Sequence, residues 1–185
     1  MTKYQMTLLG KPELITVSTD SDVRYTPEWL LDAVRAGHGA KMFDLDPCSD
    51  EIGNQLVDAA AYYDKELDGL DMPWFGSTWM NWPFSNPSPW MEKLIKEWNK
   101  TTDHPSLIVR EVTVLARADF STQWAQQACG FFDLICHPKE RIKFIGAGDS
   151  PDFTCVLFYK NRDGCDHDWV QSMSKNVGQV FRSIR

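Results

Sequence analysis

The sequence predicts an α/β domain built on a largely parallel central sheet with flanking helices. Three observations carry this prediction. Short branched or aromatic runs, such as Phe153 to Tyr159, alternate with amphipathic stretches such as Trp90 to Trp98, the pattern of strands joined by crossover helices. Two apolar runs stop abruptly in polar, proline-containing turns, at Asp46-Pro47 and at Asn81-Trp82-Pro83, where an open α/β sheet presents its ligand-binding edge. The composition, 43% hydrophobic and 24% charged over 185 residues, is that of one ordinary globular unit with a single core.

Composition also narrows the functional classes. No window approaches the roughly 20 apolar residues of a membrane span. The start, Met1-Thr2-Lys3-Tyr4-Gln5, lacks the basic and apolar regions of a signal peptide, so the cytoplasm is expected. Five cysteines without a paired short spacing read as free thiols. His38, His104, His137 and His167 read as loop residues without ligand spacing, so no metal is expected. A net charge of -7 argues against a general electrostatic field for nucleic acid, so any such contact must be local.

In chain order, residues 1–22 are polar without a firm period and read as an arm or edge element. Thr26 is a candidate N-cap and Pro27 a first helical residue, followed by Trp29, Leu30, Ala33 and Val34 at helical spacing, with Gly37 and Gly39 ending the helix. Met42, Phe43 and Leu45 form a short buried strand running into Asp46-Pro47. Gln55 to Glu66 is compatible with a helix, and Asp68-Gly69 marks a turn. After the strand that ends at Asn81, Ser88 is expected to cap a helix in which Trp90, Leu94 and Trp98 make an apolar stripe. Ser106 to Leu115 reads as β structure, Thr122 to about Cys129 as a helix, Phe131 to Cys136 and Phe153 to Tyr159 as strands. The main domain thus runs over 23–162, and 163–185 reads as a C-terminal helix or tail.

Candidate chemistry gathers at the strand ends. The Asn81 side-chain oxygen and the Trp82 carbonyl can each accept a hydrogen bond, Pro83 stiffens the turn, and Phe84 offers an aromatic face. Together they suit a planar exocyclic amine beside a stacking ring. A carboxylate at Asp44 or Asp46 can accept from an amino group or a ribose hydroxyl. Arg117 and Asp119 follow a strand, and Lys139, Arg141 and Lys143 form a compact basic patch that, with Arg182 and Arg185, suits phosphate contacts.

The Asn81 turn resembles the Asp/Asn/Ser-Pro-Pro-Tyr/Phe motif of aminomethyltransferases, with Trp82 in place of the first proline. Seven stretches in order resemble the short phage-type DNA N6-adenine methyltransferases, the phage Dam family. They are Tyr25 to Ala33, Phe43 to Ser49, Asp68 to Leu70, Trp79 to Asn86, Trp90 to Lys93, Leu115 to Trp124 and Arg141 to Phe144. The resemblance implies a Rossmann-like class I methyltransferase fold that uses S-adenosylmethionine to methylate adenine N6 in DNA. It assigns the catalytic turn to Asn81, Trp82, Pro83 and Phe84, and cofactor contacts to Tyr25, Thr26, Pro27, Asp44, Asp46, Pro47, Cys48 and Asp68. Substrate contacts fall to Arg117, Asp119, Lys139, Arg141 and Lys143. The chain departs from the general pattern after Asp46-Pro47, where Cys48-Ser49-Asp50 replaces a glycine-rich continuation. Two other classes stay open: a methyltransferase of another amine, such as cytosine N4, RNA or a glutamine amide, and a catalytically silent relative that binds DNA or a host protein. With little room for a separate recognition domain, DNA specificity is expected from loops, the arm, or a homodimer.

Overall fold

The structure is a computed structural model that describes residues 3–8, 11–16, 23–146, 151–164 and 166–183. Arg185 and the centre of the loop after Gly146 lie outside the described residues. In chain order the elements are β1 (Lys3–Leu8), β2 (Lys11–Thr16), α1 (Glu28–His38), β3 (Phe43–Asp46), α2 (Glu51–Val57), β4 (Ala59–Tyr62), β5 (Gly76–Met80) and α3 (Ser88–Trp98). They continue as β6 (Val109–Arg117), α4 (Gln123–Phe131), β7 (Leu134–Pro138), β8 (Cys155–Asn161), α5 (His167–Asn176) and β9 (Gly178–Arg182). Strands β1 and β2 pair antiparallel as a separate two-stranded sheet.

The main sheet has seven strands in the order β4-β3-β5-β6-β8-β7-β9. Neighbours β3–β4, β3–β5 and β5–β6 are parallel, whereas β6–β8, β7–β8 and β7–β9 are antiparallel. The expectation of a largely parallel sheet therefore holds for one half only. The stretch between β7 and β8 has no helical period, so the chain turns back and slots β8 antiparallel between β6 and β7. Helices cover both faces. On β6, Val112, Val114 and Ala116 join Met91, Leu94 and Trp124 in one apolar layer, while Leu115 joins Leu30, Val34 and Trp169 in the other. This is the period of two expected of a strand buried on both faces.

Several boundaries move, each for a local reason. The helix expected over Gln55 to Glu66 is instead α2 followed by the strand β4. The Asp50 side chain accepts from Gly53 N at 2.6 Å to start α2, and Asp58 ends it at a φ of 52°. Asn54 then bonds both backbone groups of Ala59, which sends the alanine-rich run into parallel pairing with β3. Pro27, not Thr26, is the last residue before α1, and Ser88 lies inside α3 after Pro87, without a side-chain cap bond. Phe131 closes α4 instead of opening a strand. The segment after Arg162 is no loose tail: α5 packs on α1, and β9 pairs with β7. His38, His137 and His167 are not loop residues but sit at the end of α1, within β7 and at the start of α5. His38 contacts Ser77 Oγ and Thr113 Oγ1, both at 2.7 Å, and burial pushes its imidazole down to about 3, so it is a neutral core group. Among the described residues no helix is long and apolar enough to cross a membrane.

Candidate active site

Chain order around β3 positions the site. From β3 the chain goes to β4 on one side and then returns to β5 on the other, so the carboxyl ends of β3 and β5 flank a topological switch point. A cleft of about 700 Å³ opens there, lined by Tyr25, Thr26, Asp46, Cys48, Asp68 and Asn81 among others. Its size is that of a small-molecule site.

Asp46 ends β3 at 2% exposure and accepts from Cys48 N at 3.2 Å. Burial pushes its carboxyl up to about 7, against the hydrogen bonds from Cys48 and Ser49 that hold it down. Burial and the adjacent Asp46 also push the Cys48 thiol up. The Tyr25 hydroxyl donates to Asp50 at 2.9 Å, and burial raises its phenol. On the outer wall Asp68 has a φ of 46° and the next residue must be glycine. A Cβ on Gly69 would lie 1.8 Å from the Pro47 carbonyl oxygen, so the outer loop is pressed directly onto the Asp46-Pro47 turn.

Asn81 follows β5 at the lip of this cleft. Its Nδ2 donates to the Arg24 carbonyl at 2.6 Å and to Thr26 Oγ1 at 3.3 Å. A carbonyl can only accept, so the amide nitrogen must face Arg24, and Oδ1 is the end left to accept from another group. Trp82 turns its indole into the core at 1% exposure, edge-on to Trp124 with ring centroids 5.9 Å apart. Of the Trp82 groups, only its backbone is then available to the turn. Pro83 lines the cleft. Phe84 is half-buried, edge-on to Phe144 at 6.0 Å and Phe153 at 5.6 Å, with the Arg24 guanidinium 5.4 Å over its ring.

The other candidates divide by position. Asp44 does not line the cleft: two residues back from the strand end, it accepts from Ser77 N at 2.7 Å and meets Arg110 at 3.3 Å. Pro27 is buried at the start of α1 and is not among the lining residues. Arg117 ends β6 and is exposed, with its guanidinium 5.3 Å over Phe153. Asp119 accepts from Ser121 Oγ at 2.7 Å in the following turn. Lys139, Arg141 and Lys143 are exposed just beyond the end of β7, which runs in the same direction as β6 because β8 opposes both. They therefore sit on the same rim of the sheet as Asn81 and Arg117. Among the described residues no cluster of three His, Cys, Asp or Glu side chains suits a metal ion.

Sequence reasoning missed Arg24, Asp50, Asp64 and Glu66 as walls of the site, whereas Asp68 was among the expected cofactor contacts and lines the cleft. Asp50 was legible as a helix N-cap, since a short polar residue precedes a helical start. Nothing in the sequence marks the Arg24 carbonyl.

The family described as DNA N-6-adenine-methyltransferase (Dam) matches residues 15–171. A DNA N-6-adenine-methyltransferase of Haemophilus phage HP1 is 29% identical over 134 residues. That alignment covers 70% of this chain and 65% of the phage protein, a little under two thirds of its length. No solved structure matches the chain.

Proposed function

Because the chain belongs to the DNA N-6-adenine-methyltransferase (Dam) family, we propose that it transfers a methyl group from S-adenosylmethionine to N6 of an adenine flipped out of DNA. The observation that carries this reading is the orientation of Asn81. Its NH2 group is held by Arg24 and Thr26, which presents Oδ1 as an acceptor beside the cleft. The parallel strands β4, β3, β5 and β6, with the reversed β8 beyond them, support a Rossmann-like class I arrangement.

The cleft residues suit this cofactor. Asp46, Asp50, Asp64, Glu66 and Asp68 all line it, a carboxylate-rich wall for a ligand that carries positive charge. Gly69, with no Cβ to meet the Pro47 carbonyl, lets the outer loop close against the Asp46-Pro47 turn and form one wall of the cleft. When bound, the cofactor supplies an electrophilic methyl group on a sulfonium. The protein's task lies on the acceptor side. The lone pair of an exocyclic amine is delocalised into the ring, so N6 is a poor nucleophile. If Asn81 Oδ1 and the Trp82 carbonyl each accept one N–H, the nitrogen becomes more tetrahedral and its lone pair localises. Both bonds strengthen as positive charge develops on N6, which is the condition for catalysis as distinct from binding. Proline is not needed at position 82, because the indole is accommodated in the core and the turn uses the carbonyl. Phe84 would stack on the flipped base, worth about 1–3 kcal/mol. Arg117, Asp119, Lys139, Arg141 and Lys143, all toward the same rim of the sheet, would meet the DNA strand around it.

The test is Asn81→Ala. Calorimetric titration should show S-adenosylmethionine binding retained, while transfer of labelled methyl to adenine-containing duplex disappears. Persistent transfer would refute the role of the turn, and a wild-type chain that does not bind the cofactor would refute the enzyme.

A further inference from the structure

We propose that the Arg24 carbonyl and the Thr26 hydroxyl form a positioning pair that locks the Asn81 amide, and that the lock makes asparagine obligatory at position 81. The inference rests on the reading of Asn81 as the acceptor for the substrate amine. An amide is pseudo-symmetric, and turned the other way it would present NH2 and suit a carbonyl instead of an amine. The Arg24 carbonyl, fifty-seven residues away at 2.6 Å, can only accept and so prevents that flip, while the Thr26 hydroxyl, fifty-five residues away at 3.3 Å, accepts a second N–H and steadies the amide.

The pair is itself held in place. Thr26 is 3% exposed. Between the two acceptors, Tyr25 bridges to Ile145, whose N–H donates to the Tyr25 carbonyl at 2.8 Å. The Tyr25 hydroxyl bonds Asp50, whose other oxygen caps α2 at Gly53. Residues 24–26 are thus tied on one side to the turn after β3 and on the other to the segment after β7. The amine acceptor is oriented by the same wall that lines the cofactor cleft.

The general form of the motif admits Asp, Asn or Ser at this position, but an aspartate here would bring a second oxygen against the Arg24 carbonyl, where an N–H donor now sits at 2.6 Å. The carboxylate would have to swing away, which removes the acceptor geometry, or hold a proton to donate to the Arg24 carbonyl, which keeps the geometry but leaves the ionised form that dominates at neutral pH unproductive.

The experiment compares wild type with Asn81→Asp, Thr26→Val and Thr26→Ser, reading kcat, KM for duplex DNA and cofactor affinity separately. For Asn81→Asp the expected result is a loss of roughly 100-fold or more in kcat with cofactor affinity within about threefold. Thr26→Val should lower kcat by about tenfold with KM unchanged, and Thr26→Ser should restore it to within about twofold. In the free protein, one Asn81 side-chain amide proton should be protected from solvent exchange relative to the exposed Asn86. Near-wild-type activity in Asn81→Asp, no effect of Thr26→Val, or a Ser variant as impaired as the Val variant would each overturn the proposal. So would Asn81 amide protons exchanging as fast as those of Asn86. If the wild type transfers no methyl group to DNA, the functional reading fails while the exchange measurement still decides the orientation.

Discussion

Asp46 concentrates the electrostatics of the site in one residue. Its folded carboxyl titrates near 7 instead of the ordinary 3.8, chiefly because it is buried. A raised carboxyl pKa means that the folded chain binds a proton which the unfolded chain has released between those values. This contribution to stability is fully present below 3.8 and is lost as pH rises to about 7. Unfolding by urea should therefore show Asp46→Asn gaining stability relative to wild type at pH 8, with little difference at pH 4. A cationic ligand reverses the preference, since it needs the carboxylate. Cofactor affinity measured by calorimetry should be roughly tenfold tighter at pH 8 than at pH 6, and Asp46→Asn should abolish that dependence. Asp44, the alternative legible in the sequence, is engaged with Ser77 and Arg110 outside the cleft, so Asp44→Asn should leave cofactor affinity unchanged.

Among the elements, the outer loop and the C-terminal pair β9 and α5 have separable roles. In Gly69→Ala the new Cβ meets the Pro47 carbonyl at 1.8 Å, so the loop must move outward. The core packing of β3 and β5 is untouched by that movement. The expected outcome is a melting temperature close to wild type and a loss of cofactor affinity, measured in the same titration. Trp169 on α5 behaves oppositely. It is fully buried, stacks on Tyr159 with centroids 4.6 Å apart, and donates from Nε1 to Thr113 Oγ1 at 3.1 Å. Trp169→Ala should cost about 3–5 kcal/mol in denaturant unfolding. The loss reflects the fact that residues after Arg162 close one face of the sheet, so truncation there should leave no folded domain.

For the whole molecule, the net charge of -7 and the basic rim act against each other. The overall field repels DNA, so on the proposed function affinity would come from a few local phosphate contacts and should depend on salt only modestly. Removing Lys139, Arg141 or Lys143 singly should lower the slope of log affinity against log salt by up to about 0.9 for each phosphate that is no longer neutralised. Filter or fluorescence binding across a salt series checks this. A substitution that leaves the slope unchanged marks a residue turned away from the DNA.

Local features were legible along the chain alone: the helices α1 and α3, the ends of β3 and β5, and the donor and acceptor groups that the Asn81 turn carries. Periodicity, proline and the donor and acceptor inventory of a side chain are properties of neighbouring residues, so they need no fold to be read. Tertiary structure settled what depends on a partner far away in sequence. Ala59–Tyr62 is a strand because β3 pairs with it, β8 runs antiparallel because it is inserted between β6 and β7, and Gly178–Arg182 is ordered by β7. The same holds at the Asn81 turn, where burial against Trp124 disposes of the Trp82 indole. The direction of the Asn81 amide is set by a backbone carbonyl that no side-chain pattern can reveal.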